Sequence, residues 1–290
     1  MEPAPRKPTR TRKTPVDAAA RPVRHSAREK EAANEAAASD SRTEGTARCD
    51  AEALAEAARF IRGDEGSDRR DAGDSKRLRA EQERTKEWLC AKGCLITESD
   101  LDALGIISNS TSEHEVRGRP ADLRVVKKTW PSFYGQVPVW RAGRIERASA
   151  LPSQYLERQL LQNVIFKSDI LLEGGTLSEK PSMIIGEPTG QPCFVISQPF
   201  IEAVRHAAPA PADSEIAAFL AAHGFESIPG SYFGWQRAED GVVILDARGD
   251  NFILSDEGVI PIDLQMAVIP EIIRVKTPRG RAPKSRRKPA

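Results

Sequence analysis

Apolar residues are spaced differently in the two parts of the chain. Up to about residue 80 large apolar side chains are almost absent, and AEALAEAARFIR, residues 51–62, is the run there that could form a short helix. Sustained helical spacing begins near Glu81, where EQERTKEWLCAKGCLI sets Trp88, Leu89 and Cys90 ahead of Gly93. SDLDALG, residues 99–105, predicts a short helical turn. From about residue 106 strand patterns take over. LRVVKKTW, residues 123–130, is a β-branched run bounded by Pro120 and Pro131. PSQYLERQLLQNVIF, residues 152–166, predicts a helix with Pro152 in its first turn. Residues 182–200, SMIIGEPTGQPCFVISQPF, predict two strands around a Pro/Gly turn. ADSEIAAFLAAHGF predicts a helix capped by Asp213 or Ser214 and stopped at Gly224. Short strands joined by tight turns fill residues 231–264. This order of elements is α+β, not alternating βαβ.

Charge changes the picture at the ends. Between residues 6 and 28 Arg and Lys abound, and Glu2 and Asp17 are the only acids before Glu29; from Arg274 to Lys288 there is no acid. A segment so poor in apolar side chains cannot offset its ordering entropy. Residues 1–80 are therefore expected to be a disordered charged tail with transient helix, and residues 272–290 a disordered basic tail. Both ends are suited at most to weak, nonspecific contact with polyanions. Cys49, Cys90, Cys94 and Cys193 form no zinc pattern. No run approaches the roughly 20 apolar residues of a membrane span, and the N-terminus has no signal-peptide core. A soluble cytoplasmic protein without a membrane partner is expected.

Chemistry enters at GVVILDARGDNFILSDEGVIPIDL, residues 241–264, where Asp246, Asn251 and Asp263 end or flank short Val/Ile/Leu runs. Ser255-Asp256-Glu257-Gly258 signals a hairpin. Pairing of Leu254 with Val259 or Ile260 sets Asn251 opposite Ile262 or Asp263, with Asp246 one short loop away. Two hard oxygen donors, Asn251 and Asp263, suit magnesium together with phosphate oxygens. A third carboxylate, Asp246, can orient a hydroxyl and accept its proton, the division of labour in phosphoryl transfer. Asp-x4-Asn followed about a dozen residues later by Asp matches the kinase catalytic loop and its metal-binding Asp. Such chemistry also needs a strand lysine and a glutamate on the next helix. Strand alternation turns Lys127 inward and Lys128 outward. In residues 152–166 Leu160, Leu161 and Val164 form an apolar stripe with Glu157 in its middle; a buried carboxylate there requires a partner, and Lys127 is the expected one. His114, between Glu113 and Glu115, is expected to be solvated.

EHEVR, RVVKKT, YLERQLLQN, SQPFI and VVILDARGDNFILSDEGVIPIDL together resemble the kinase-like domain found in polyvalent proteins of phages and mobile elements. More distantly they resemble the aminoglycoside phosphotransferase-like kinases. The resemblance covers residues 85–269. It implies an α+β fold of reduced two-lobed, protein-kinase-like form over residues 81–271, with a small lobe at about 81–200 and a catalytic lobe at about 201–271. ATP and Mg2+ would lie between the lobes. Lys127 would meet the nucleotide phosphates and Glu157 would hold Lys127. Ser197, Gln198 and Phe200 would belong to the hinge beside adenine. Asp246 would be the base, and Asn251 and Asp263 the magnesium ligands. The chain departs from the pattern in three ways. Residues 108–116, where a phosphate-covering loop is expected, contain no glycine; Ile244-Leu245 precede Asp246 and Leu264-Gln265 follow Asp263; and the short basic stretch after Ile269 leaves no room for the usual helical lobe. The expected function is an atypical Mg-dependent kinase that transfers the ATP γ-phosphate to a protein or small molecule. A pseudokinase and a nucleic-acid-associated effector working through basic tails are the alternatives.

Overall fold

The computed structural model describes residues 51–63, 74–108, 113–179, 189–204 and 210–276. Helix α1 (Ala51–Arg62) carries buried Leu54, Ala57, Ala58 and Ile61, the i, i+3, i+4, i+7 pattern of one apolar face. Helix α2 spans Asp74–Lys92 and buries Trp88 and Leu89 in the same core. The tail boundary expected at residue 80 is therefore corrected: residues 51–62 and 74–80 are helical. The small Ala57 and Ala58 give α1 a narrow apolar face, which a search for large apolar residues passes over. At the other end, α6 (Pro270–Lys276) takes in residues 272–276, and Ile272 is buried. Residues 1–50, 64–73 and 277–290 of the two expected tails lie outside the described residues.

A short helix α3 (Glu98–Asp102) starts at Thr97, whose side chain and Asp100 cap each other reciprocally. A five-stranded antiparallel sheet follows from β1 (Gly105–Ser108), β2 (His114–Arg119), β3 (Arg124–Thr129), β6 (Leu171–Leu177) and β7 (Pro192–Pro199), in the order β1-β2-β3-β7-β6. Between β3 and β6 the chain makes the hairpin β4 (Gln136–Arg141)–β5 (Arg144–Ser149) and helix α4 (Pro152–Phe166). Alternation gives the sheet two different faces. Phe194, Ile196 and Leu172 pack with Tyr155 and Leu156 of α4, whereas Val126 and Val195 pack with Leu101 of α3. The expected strand within residues 180–188 lies outside the described residues.

Beyond the sheet, α5 (Asp213–Ala222) packs on a four-stranded antiparallel sheet. Its strands are β8 (Glu226–Ser227), β9 (Trp235–Arg237), β10 (Val242–Ile244) and β13 (Met266–Val268), ordered β13-β10-β9-β8. Their core of Leu220, Phe225, Val242, Ile244, Phe252 and Met266 meets Leu161, Ile165 and Phe166, so α4 serves both cores. Hairpin β11 (Phe252–Ser255)–β12 (Gly258–Pro261) pairs Leu254 with Val259. Asn251 then falls opposite Ile262, whose N–H donates to the Asn251 carbonyl at 2.9 Å. No helix among the described residues is long and apolar enough to cross a membrane.

Candidate functional site

A cavity of about 600 Å³ lies between the five-stranded sheet and the β11–β12 hairpin. Val116, Val125, Ile253 and Ile262 supply apolar walls, and Lys127, Asp246, Asn251 and Asp263 all reach it. Its size is that of a small-ligand pocket.

Lys127 stands opposite Ile196 on the α4 side of the sheet. Its Nζ donates to the Ile262 carbonyl at 2.7 Å. Burial, reinforced by nearby Arg158, pushes the Lys127 ammonium below its ordinary value, against Asp263 and Glu113. Asp263 follows β12. Burial opposes its charge, yet Lys127, His114 and Arg158 outweigh that and hold its carboxyl well below the usual carboxylate range. Its oxygens lie 3.6 Å from His114 Nδ1 and 3.6 Å from Arg158 Nη2.

The expected Lys127–Glu157 pair is not formed. Glu157 is half-exposed and pairs with Arg62 of α1. The buried face of α4 is Tyr155, Leu156, Arg158, Gln159 and Gln162, while Val164 is exposed. The face was misassigned by about half a turn because three of its inward residues are polar, and an apolar stripe search discounts them. Arg158 occupies the interior instead. It is fully buried, donates to Glu113 Oε2 at 2.7 Å and to the Gln136 carbonyl at 3.3 Å, and stacks over the Tyr155 ring. Glu113 in turn accepts from the Gln136 N–H. Gly135 adopts φ +74°, and a Cβ there would run into the Glu113 carboxylate. His114 is buried, not solvated, with Nε2 3.0 Å from the Tyr155 hydroxyl.

The residues expected at the hinge divide by strand parity. Gln198 and Phe200 line the cavity. Ser197 points to the opposite face, where Arg124 Nε donates to its hydroxyl at 2.8 Å and the hydroxyl donates to Glu173. It does not reach the cavity, because it shares the face of Val195.

Asp246 follows β10 and is buried. The 3-10 turn Gly249–Asn251 swings Asn251 back so that its Nδ2 donates to the Asp246 carbonyl at 2.7 Å and to Oδ2 at 3.0 Å. Gln265 Nε2 donates to the same Oδ2 at 3.2 Å. Arg147 Nη2 and Arg248 Nε each approach Oδ1 at 3.0 Å. Sequence reasoning brought Asp246, Asn251, Asp263 and Lys127 together as the structure does. It missed Glu113, Arg147, Arg158 and Gln265. For Arg158 a signal was present: a helix phase about half a turn away places it inward beside Gln159 and Gln162. The middle of the expected phosphate-covering loop, residues 109–112, lies outside the described residues. Compared with known proteins, the chain matches no family model, no curated protein and no solved structure.

Proposed function

We propose that the chain is an atypical Mg-dependent phosphotransferase that binds ATP in the cavity between the sheet and the hairpin. The observation that carries this reading is the convergence of Lys127, Asp246, Asn251 and Asp263, from three separate elements, on one cavity with apolar walls. The order of parts along the chain supports it: a strand lysine, a helix, a hinge strand, then the Asp-x4-Asn loop and the hairpin acid. Charge supports it as well. Among the described residues the lining holds four carboxylates, Glu113, Asp246, Asp250 and Asp263, against the cations Lys127 and Arg248. A bare polyphosphate would be repelled, whereas a magnesium nucleotide is accommodated.

Asn251 and Asp263 are the oxygen donors suited to magnesium, which when bound would neutralise charge on the β- and γ-phosphates. Lys127 would exchange its bond to the Ile262 carbonyl for a phosphate oxygen. Asp246 would orient the acceptor hydroxyl and accept its proton. Val116, Val125 and Phe200 would enclose the base. Arg158, held by Glu113, replaces the helix glutamate: it is a second cation behind Asp263 and not a partner for Lys127.

Calorimetric titration of ATP into the full chain, with and without Mg2+, tests this reading. Magnesium-dependent binding that Asp263→Ala abolishes and Lys127→Met weakens at least tenfold is expected. No binding at millimolar ATP would overturn it. A second reading, nucleotide binding without turnover, is favoured by the two arginines held on Asp246. The absence of ADP formation under every acceptor condition, with MgATP binding intact, would select it.

A further inference from the structure

Asp246 is the proposed base, yet both oxygens of its carboxylate are already engaged. Arg147 Nη2 donates to Oδ1 at 3.0 Å and Arg248 Nε lies 3.0 Å from the same oxygen as an ion pair; Asn251 and Gln265 donate to Oδ2 at 3.0 and 3.2 Å. Arg248 Nη2 adds a longer contact of 3.5 Å to Oδ2. A carboxylate offers about four acceptor sites; Oδ2 is taken, and Oδ1, which accepts a hydrogen bond from Arg147, is also covered by the Arg248 guanidinium. An arginine has to move aside before an acceptor hydroxyl can approach Oδ1.

The donors differ in how readily they leave. Asn251 and Gln265 are buried, and Asn251 also holds the Asp246 backbone. The Arg147 and Arg248 side chains are 44% and 47% exposed. Arg147 Nη2 also donates to the Leu245 carbonyl and Arg248 also faces Asp250, but both guanidinium groups reach solvent, where another anion can meet them. They also mark a direction. Arg248 lines the cavity, while Arg147 reaches Asp246 from β5, outside the lining residues. The β4–β5 hairpin that carries Arg147 is anchored by Trp140 and Ile145 against Val243, Ile269 and Ile272. Asp246 thus stands between the nucleotide cavity and an arginine-bearing hairpin. Gln265, whose Nε2 donates to the same carboxylate, has a buried Oε1 that finds no hydrogen-bond donor among the described residues.

We propose that Arg147 and Arg248 form the subsite for an oxyanion carried by the phosphoryl acceptor close to its hydroxyl, and that Asp246 occupies both arginines until that anion arrives. The inference rests on the phosphotransferase reading and names its acceptor class: a hydroxyl compound bearing a phosphate or carboxylate. Anion binding draws the arginines away and frees Oδ1. The acceptor hydroxyl can then face Asp246, with Gln265 Oε1 taking a further donor from the acceptor. In the transfer, the bond from the acceptor oxygen to the γ-phosphorus forms as the bond from that phosphorus to the bridging oxygen breaks. ADP leaves with the electron pair, and the hydroxyl proton passes to Asp246. A cationic acceptor would be repelled by the same two arginines.

The test is calorimetry on the full chain, with MgADP present and again without nucleotide, using glycerol 3-phosphate, glycerate and glycerol. Wild type is expected to bind at least one of the two anions and not glycerol; the tighter anion identifies phosphate or carboxylate as the group recognised. Arg147→Gln/Arg248→Gln should weaken that binding at least tenfold, and Arg147→Lys/Arg248→Lys should restore part of it. Asp246→Asn removes the internal competitor and should tighten it at least tenfold, in a protein whose melting curve confirms folding. No anion binding, equal affinity in the glutamine variant, or no gain in Asp246→Asn would overturn the proposal. So would loss of ATP affinity without loss of ADP affinity in the glutamine variant, which would assign the arginines to the γ-phosphate. Failure of wild type to bind MgATP would sink the nucleotide reading separately, since the titration without nucleotide still reads the arginine pair.

Discussion

Two carboxylates, Asp263 and Asp246, face one cavity under different regimes. Asp263 belongs to a buried group with Lys127, Arg158, Glu113 and His114, whose contacts to Asp263 itself are long, 3.6 Å from His114 and from Arg158. Its ionised state depends on cations that cannot leave without stranding another charge. Asp246 is held by short contacts, but its two ionic partners are half-exposed arginines that also engage the Leu245 carbonyl and Asp250. The first arrangement makes a permanent charge, which suits a metal ligand. The second leaves the ionic partners within reach of solvent and of an incoming anion, which suits the role proposed for Asp246. Burial of the partners, more than the number of contacts, separates the two roles.

The largest effect that would break this comparison is expected at Arg158. Arg158→Met leaves Glu113 buried without its cation and should destabilise by roughly 3–5 kcal/mol in denaturant unfolding, with Arg158→Met/Glu113→Gln recovering part of the loss. A loss below about 1 kcal/mol would mean that the buried group is not what holds the site. Gly135→Ala comes next. It combines a positive φ with a collision against Glu113, and should cost roughly 1–3 kcal/mol in the same assay.

The pH dependence follows from Asp263. Its folded-state carboxyl lies well below the unfolded value of about 3.9, so its stabilisation is complete above that value and is lost as pH falls towards the folded one. The melting-temperature gap between wild type and Asp263→Asn should be widest near pH 7 and narrow below about pH 4; a constant gap would contradict the charge argument. The smallest effect is expected at Glu157. Its pair with Arg62 is more than a third exposed on both sides, so Glu157→Gln should change stability by less than about 1 kcal/mol and leave ATP affinity unchanged. A large loss of affinity would restore Glu157 as the partner of the lysine.

Much of the site was legible because it sits on local patterns. The hairpin signal at residues 255–258 sets the register that brings Asn251 opposite Ile262, and strand alternation alone turns Lys127 inward. The same alternation, applied to β7, separates Gln198 from Ser197, a distinction that treating residues 197–200 as one block overlooks. Helix α4 defeated the apolar-stripe argument because its inward face carries Arg158, Gln159 and Gln162. Helix α1 was under-weighted for a related reason: half of its buried face is alanine.

Local periodicity and turn chemistry therefore determined the α+β class, the strand phases and the Asp246–Asn251–Asp263 spacing, since each depends on residues within a few positions of one another. Only the tertiary structure decided who pairs with whom. Arg158 with Glu113, Glu157 with Arg62 and Arg147 with Asp246 join residues 45, 95 and 99 positions apart. Coulomb attraction acts through space and leaves no periodicity in the chain, so such pairs become visible only after the elements have packed.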